Sequence, residues 1–159
     1  MRITIAAIGR MKQGPERELV SRYLDRARAT GKPLALTGFD VLEFSESRAG
    51  SAEARKDEEA RTLIAALPEG VRVVLDEHGK SISSQAFATQ LGRWRDDGRP
   101  AVSFVIGGAD GHGRELLQSA ALTLSFSPLT WPHQLVRIML TEQLYRTTTI
   151  LSGHPYHRE

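Results

Sequence analysis

Apolar runs with strand character alternate with amphipathic helical patterns along the whole chain. The runs cover residues 2–8, 34–44 (with an interruption near Gly38), 71–76, 101–106 and 122–126, and the helical patterns cover 15–30, 52–67, 83–97 or 84–97, 114–120 and 133–151. A β-α order repeated in this way is typical of a mainly parallel sheet with helices on both faces, because parallel neighbours need a long crossover connection. We therefore predict an α/β fold that forms a single domain over residues 1–159. Ligands of such folds bind beyond the carboxyl ends of the strands, so the loops after strands 1, 3, 4 and 5 are the first places to search.

The composition narrows the chemistry that is open to the chain. Apolar residues make up 40% and charged residues 25%, which is a globular rather than a disordered profile. The count of Cys is 0, which excludes disulfide scaffolds, thiolate zinc sites, iron–sulfur clusters and cysteine nucleophiles. No apolar run approaches the roughly 20 residues of a membrane-spanning helix, and the first residues resemble a strand more than a signal peptide. We expect a cytoplasmic protein, since the lack of Cys fits a reducing compartment.

Basic residues concentrate at the N-terminal end of the chain. The net charge is only +2, yet residues 1–32 carry eight basic and three acidic side chains. Two interpretations remain open, namely a contact surface for a polyanion and an ordinary solvated helix face.

The glycine-rich segment at residues 107–113, GGADGHG, follows a strand and precedes a helix, where a ligand-binding loop is expected. Its G-x-x-G-x-G spacing from Gly108 differs from the G-x-G-x-x-G spacing of dinucleotide-binding loops. Gly79 and Lys80 resemble the end of a phosphate-binding P-loop, but Val74 stands where that motif needs glycine. Neither H-E-x-x-H nor G-x-S-x-G occurs, and no spacing supplies His154 and His157 with a third ligand, so we expect no metal site.

The last third of the chain has the most unusual composition. The segment SFSPLTWPHQ at residues 125–134 places two prolines, three hydroxyls, a tryptophan and a histidine between a strand and the longest helix. The terminal segment SGHPYHRE at 152–159 concentrates two imidazoles, a phenol and a guanidinium, although chain ends are usually poor in such groups. These side chains are candidates for chemistry, while a tail that packs on its own surface is the alternative.

Five short segments carry a resemblance to a known family: FVIGG at 104–108, LSFS at 124–127, WPH at 131–133, LYR at 144–146 and HPYH at 154–157. In combination they resemble the RlmH family of bacterial ribosomal RNA methyltransferases, which belongs to the SPOUT (α/β-knot) superfamily. The resemblance implies a sheet with a trefoil knot in its C-terminal half and S-adenosylmethionine as the cofactor. It implies methyl transfer to N3 of a pseudouridine in helix 69 of 23S rRNA, on the assembled 70S ribosome. It also implies a homodimer whose active sites lie at the subunit interface, with no metal and no membrane contact.

The same resemblance assigns the site residues. The expected cofactor-binding residues are Leu75, Gly107, Phe126, Ser127, Pro128, Leu129, Thr130 and Trp131. The expected catalytic residues are Arg146, His154, Tyr156 and His157. His157 is the candidate general base for the N3 proton, and Arg146 or Tyr156 is the candidate for stabilising negative charge on the base. We assign no catalytic role to Asp110 or His112, and we expect Arg137 and Glu142 to support the last helix or a dimer contact.

Two other functions are compatible with parts of the sequence. A nucleotide-binding oxidoreductase would use the glycine-rich segment, although its spacing does not fit. A non-catalytic ribosome-binding or RNA-binding factor would use only the tail and the basic N-terminal helix, and its RNA affinity would fall steeply with salt.

Overall fold

The computed structural model describes residues 1–158 and contains five strands and five α-helices in strict alternation. The strands are β1 (Arg2–Ile8), β2 (Thr37–Phe44), β3 (Val71–Lys80), β4 (Ala101–Ile106) and β5 (Leu122–Leu124). The helices are α1 (Pro15–Gly31), α2 (Ala52–Ala66), α3 (Ser84–Asp96), α4 (Arg114–Gln118) and α5 (His133–Ser152), and a 3-10 turn covers Lys32–Leu34. All strand pairs are parallel, in the order β2-β1-β4-β3-β5, which confirms the predicted α/β fold.

The sheet is buried on both faces. One face, with Ile5, Val73 and Phe104 at its centre, packs against α1, α3 and α5, and the other, with Val74 and Val105, packs against α2 and α4. Double burial explains why the strands are nearly continuous apolar runs without the alternation of a half-exposed strand.

The second strand begins later than the sequence predicts. Residues 32–34 form the 3-10 turn instead of extending the strand, and Ala35 after them is left-handed (φ 56°). Within β2, Ile3 pairs with Gly38 and Thr4 with Asp40, so Phe39 is an extra residue and is also left-handed (φ 57°). The expected interruption near Gly38 is therefore a β-bulge. It turns Phe39 fully into the core under α1.

An internal ion pair fixes the start of α5 over the edge of the sheet. Arg137, only 4% exposed, pairs with Glu43 at the end of β2 and donates a second hydrogen bond to the Gly9 carbonyl after β1 (3.0 Å). Glu43 also accepts the Met11 amide (2.8 Å). Burial acts to raise the pKa of Glu43, but the Met11 amide and Arg137 outweigh it and lower that pKa below its ordinary value. Arg137 thus supports the helix, as expected.

The third strand continues beyond the regular sheet and forms a backbone hydrogen bond with the chain that follows the fifth strand. The strand β3 runs to Lys80 instead of ending at 76, and the Lys80 carbonyl accepts the Ser125 amide (3.0 Å). The fifth strand accordingly ends at Leu124, two residues earlier than predicted. A Cβ on Gly79 would lie 2.7 Å from the Thr123 carbonyl, so this crossing needs glycine. The trefoil knot stays a prediction. Within residues 1–158, no helix is long and apolar enough to cross a membrane.

Candidate active site

A cleft of about 370 Å³ opens at the carboxyl ends of β3, β4 and β5. Its walls are apolar side chains from three strands or their ends and from the start of α5: Leu75, Ile106, Leu124, Phe126 and Val136. Its rim is polar and carries Asp76, Glu77, His78, Asp110, Thr130 and His133. The combination of apolar walls and a few polar groups at strand ends is typical of a small-molecule site.

The glycine-rich segment at 107–113, which we call the glycine loop, forms the wall above β4. The Gly111 amide donates to the Gly108 carbonyl (3.1 Å), which closes a tight turn that Gly111 accommodates in a left-handed conformation (φ 87°). Asp110 at the tip accepts two bonds from the Arg55 guanidinium of α2 (2.7 and 3.0 Å). The hydrogen bonds from Arg55, and then its charge, lower the pKa of Asp110 below its ordinary value. The loop is therefore tied to α2.

The segment between β5 and α5 forms the opposite wall and is shaped by its own hydroxyls. The Ser125 hydroxyl donates to the Glu77 carbonyl (3.1 Å) and accepts the Ser127 amide (3.2 Å). The Ser127 hydroxyl in turn accepts the Leu129 amide (3.0 Å), and the Thr130 hydroxyl donates to the Glu77 carboxylate (2.7 Å). The hydroxyls of Ser125 and Thr130 therefore hold the segment against Glu77 in β3, and the hydroxyl of Ser127 shapes the segment itself.

Seven of the eight predicted cofactor-binding residues line this one cleft. They are Leu75, Gly107, Phe126, Ser127, Leu129, Thr130 and Trp131, while Pro128 is exposed and is not among the lining residues. The volume fits a nucleoside-sized ligand, and the walls offer apolar surface for an adenine with backbone groups at its edge. The residues present thus fit S-adenosylmethionine, and their assignment to it stays a prediction.

The four predicted catalytic residues gather around Glu142 of α5, and we call the group of Glu142, Arg146, His154, Tyr156 and His157 the tail cluster. One Glu142 oxygen accepts both the Arg146 guanidinium and the Tyr156 hydroxyl (3.0 Å for the latter). The Arg146 guanidinium also lies 4.9 Å from the centre of the Tyr156 ring and 3.3 Å from Nδ1 of His157. The His154 ring accepts the Tyr156 amide (3.2 Å). The tail therefore packs against α5 as an ordered unit.

Burial and hydrogen bonding set the charge states within the tail cluster. Burial and then the Glu142 contact raise the pKa of Tyr156 to about 12, so its phenol stays protonated at neutral pH. The hydrogen bond to Glu142 raises the pKa of Arg146 further, and its charge is permanent. Because a guanidinium can only donate, Nδ1 of His157 must accept from Arg146 in this arrangement. The lone pair that a general base needs is then already occupied.

Within the described chain, the cleft and the tail cluster lie apart. The first residue of α5, His133, lines the cleft, whereas none of the four predicted catalytic residues does. Arg146 lies thirteen positions further along the helix, about 20 Å away at 1.5 Å per residue. One copy of the chain therefore does not bring both predicted halves of the site together.

Two contributions to the site were missed by sequence reasoning. Glu142 was expected to support the last helix or a dimer contact, and its i, i+4 spacing indicates the pair with Arg146, but not the hydrogen bond that it accepts from Tyr156. His112 was given no role, yet its ring lines the cleft and contacts the Leu75 carbonyl (2.7 Å). No pattern in the sequence indicates that contact, since 37 positions separate the two residues.

Comparison with known proteins identifies the family. Residues 1–157 match the family model described as a predicted SPOUT methyltransferase. The chain belongs to the SPOUT methyltransferase family. The resemblance based on the five short segments is thereby confirmed at the level of the family, and the glycine loop and the 125–132 segment are the strand-end loops of a SPOUT methyltransferase.

Full-length relatives of this SPOUT methyltransferase carry a more specific name. The chain is 57% identical over 159 residues to ribosomal RNA large subunit methyltransferase H of Rhodopseudomonas palustris and 55% identical to the protein of that name from Nitrobacter hamburgensis, with 99% of both chains covered in each case. Among solved structures, the SpoU methyltransferase AviRb of Streptomyces viridochromogenes in complex with AdoMet matches 92% of this chain and 57% of its own, at 13% identity and a TM-score of 0.40. That likeness is too low to carry an argument about the site. Within residues 1–158, no three His, Asp or Glu side chains are grouped so that they could hold a metal ion.

Proposed function

We propose that this protein transfers a methyl group from S-adenosylmethionine to N3 of a pseudouridine in helix 69 of 23S rRNA, acting on the assembled 70S ribosome in the cytoplasm. The observation that carries the proposal is the convergence of seven residues from three separate segments on one cleft, in a chain 57% identical to proteins named ribosomal RNA large subunit methyltransferase H. The chain would act as a single domain with no metal.

The cleft supplies binding and alignment. Leu75, Phe126 and the other apolar walls would hold the adenine, and the backbone of Gly107 and of residues 127–131 would meet its polar edge. When bound, S-adenosylmethionine supplies a methyl group already activated by the sulfonium, so the chain needs no covalent nucleophile. The residues of the cleft therefore act by positioning the two reactants. This requirement is compatible with a chain that has no Cys.

The tail cluster supplies the groups that the acceptor base needs. The N3 proton of a pseudouridine must leave before the nitrogen can attack, and negative charge then develops on the base carbonyls. The permanent charge of Arg146 is suited to stabilise that negative charge. Tyr156, with its pKa of about 12, is suited to donate a hydrogen bond and not to accept the proton. His157 can accept the proton only after its ring leaves Arg146, so binding of the base would have to displace that contact.

A second copy of the chain would bring the cleft and the tail cluster together. We include in the proposal a homodimer in which the tail cluster of one protomer faces the cleft of its partner. The rim of the cleft supports this arrangement, because Leu129 and Trp131 leave 66% and 38% of their surface exposed there. Leu135 in the first turn of α5 is also 41% exposed. Large exposed apolar side chains that lie close together mark contact surfaces.

The assembled ribosome is the proposed substrate because the chain offers little of its own for RNA recognition. Its net charge is +2, and its five helices all pack on the two faces of one sheet, which leaves no separate RNA-binding domain within residues 1–158. Contacts spread over a ribosomal site would supply the specificity that a small basic excess does not.

Methyl transfer from labelled S-adenosylmethionine to 70S particles, to isolated subunits and to naked 23S rRNA tests the proposal. Particles from a strain that lacks the protein are the substrate, and mass spectrometry of rRNA fragments locates the methyl group. We expect far faster methylation of 70S particles than of naked RNA, at the helix 69 pseudouridine. RNA binding without any methyl transfer would contradict the proposal in favour of a non-catalytic binding factor, and equal rates on both substrates would contradict the ribosomal requirement.

His157→Ala tests the acceptor assignment. The variant should lose methylation because no group then receives the N3 proton, while its affinity for S-adenosylhomocysteine, measured by calorimetry, should stay at the wild-type value. Full activity of this variant would refute the role of His157.

A further inference from the structure

The His112 side chain lies between two strand ends that carry proposed cofactor contacts. Its Nε2 lies 2.7 Å from the Leu75 carbonyl oxygen at the end of β3. On its other side the ring packs against Gly107 at the end of β4 so closely that a Cβ there would lie 2.8 Å from the ring carbon Cε1. The imidazole therefore lies against both Leu75 and Gly107, which follow neighbouring positions of the paired strands β3 and β4 and both line the cleft.

The surroundings select one protonation state of this ring. A carbonyl oxygen can only accept, so Nε2 must carry the proton of the hydrogen bond. The other nitrogen, Nδ1, is buried and has no hydrogen-bond partner among the described residues. An unpartnered acceptor costs less than an unpartnered charged donor, so the neutral ring fits this position and the protonated ring does not. Burial lowers the pKa of His112 below its ordinary value, in the same direction.

Five charged or titratable groups share the cleft with His112: Asp76, Glu77, His78, Asp110 and His133. Asp76 favours the protonated ring by its charge, and His133 opposes it. Asp110 is already engaged by Arg55, and Glu77 by Thr130. None of these five groups is within hydrogen-bond reach of Nδ1 in the described structure.

We propose that His112 is a positioning residue of the methyl-donor cleft, whose neutral imidazole ties the glycine loop to the Leu75 carbonyl and holds that loop in place as the wall against which the donor binds. The inference rests on the proposed function, since it assumes that the donor binds in this cleft. The glycine loop leaves β4 at Gly107 and returns to the cleft at His112, so losing the bond frees the loop on its cleft side while the Arg55–Asp110 contact still ties its outer side. Protonation of the ring would place an N–H against Gly107 with no acceptor and would loosen the same wall.

Two substitutions distinguish the effect of the hydrogen bond to Leu75 from the effect of protonating the ring. His112→Leu fills a similar volume but cannot donate to Leu75, and His112→Gln keeps an N–H donor but cannot titrate. The probe is S-adenosylhomocysteine, and its affinity for each full-length protein is measured by calorimetry from about pH 8 to about pH 5. At pH 8 we expect about three- to tenfold weaker binding for His112→Leu, the effect of one net hydrogen bond, and binding within about twofold of wild type for His112→Gln.

The pH profile is the readout that a purely structural role would not change. Wild-type affinity should fall as the pH drops, while both variants should give flat profiles. The loss of affinity at low pH should persist in His78→Gln and His133→Gln, because neither imidazole is hydrogen-bonded to the Leu75 carbonyl. In the free wild-type protein, ¹⁵N NMR should show the Nε2-protonated tautomer of His112, and bound ligand should shift its titration to lower pH.

The outcomes are distinct. If the wild-type protein and His112→Leu bind S-adenosylhomocysteine with the same affinity and the same pH profile, the role of His112 is refuted while the donor cleft itself stands. A pH-dependent fall that persists in both His112 variants, or an Nδ1-protonated tautomer, would also overturn it. Failure of the wild-type protein to bind S-adenosylhomocysteine at any pH would instead overturn the donor cleft, and the inference with it.

Discussion

Breaking the buried ion pair between Glu43 and Arg137 should destabilise the protein more than the loss of any exposed ion pair. Glu43→Gln keeps the size of the side chain and an acceptor for the Met11 amide, but it removes the charge that faces Arg137. Arg137 is 4% exposed, so its guanidinium would remain buried with only neutral oxygen acceptors, the Gly9 carbonyl and the amide oxygen of the new Gln, and with no opposite charge beside it. The substitution therefore measures the cost of an uncompensated buried charge.

The magnitude follows from the burial of the two partners. Removing one partner of a buried pair costs about 3–5 kcal/mol. The Glu43 side chain keeps 23% of its surface exposed, so water partly screens the pair and we expect the lower end, about 3 kcal/mol. For a chain of this length that loss lowers the melting temperature by roughly 6–12 °C. Arg137→Met leaves the more exposed partner unpaired and should cost less than Glu43→Gln.

Urea unfolding followed by circular dichroism gives the free energy of unfolding for wild type, both single variants and the double variant. The double variant should be more stable than the sum of the single losses predicts, by at least about 1 kcal/mol, because the two residues interact directly. Asp40→Asn is the matched control, since it breaks the exposed Arg2–Asp40 pair, whose side chains are 62% and 42% exposed. A loss for Glu43→Gln no larger than that of the control, or additive losses in the double variant, would refute the reasoning.

Three further predictions concern pH, the tail and the cleft. The folded protein lowers the pKa of Glu43, so the ionised carboxylate stabilises the fold fully at any pH above the pKa of this group in the unfolded chain. The free energy of unfolding should therefore decrease as the pH drops through the lower pKa of the folded state. Thermal melts of Glu43→Gln should show a smaller decrease over the same pH range. Glu142→Gln removes the charge that orients the tail cluster and should lower methylation of 70S particles by about tenfold or more at unchanged S-adenosylhomocysteine affinity; wild-type activity would contradict its organising role. Gly107→Ala places a methyl group 2.8 Å from the His112 ring and should weaken S-adenosylhomocysteine binding. The control Gly50→Ala, with nothing within 4 Å of its Cβ, should bind as wild type does. Equal binding by both variants would show that the close contact between Gly107 and His112 tolerates a side chain.

Sequence patterns were sufficient for the parts of this protein that depend on local physics. The β-α alternation follows from apolar runs and helical periodicity, and the structure reproduces each element, most of them to within a residue or two at either end. The largest errors fall where long-range contacts override the local pattern: at β2, where the chain turns before entering the sheet, and at β3, where residues 77–80 stay extended because they run beside the chain that leaves β5. Such partners are distant in sequence and leave no periodic signal.

The residues of the site likewise fall into those that local sequence indicates and those that only the fold brings together. Residues 126, 127, 129, 130 and 131 lie in one stretch whose proline, aromatic and hydroxyl content is unusual, so the sequence alone indicates a loop with a function, and the resemblance to a known family indicates which one. Only the tertiary structure places Leu75 and Gly107 opposite that stretch and brings the His112 ring against both of them. Likewise, the sequence determines that Glu142 and Arg146 share a helix face, but only the folding of the tail onto α5 brings Tyr156 to the same carboxylate. The physical reason is that a helix or strand depends on neighbours a few residues away, whereas a cleft consists of contacts between segments whose separation along the chain carries no information about their distance in space.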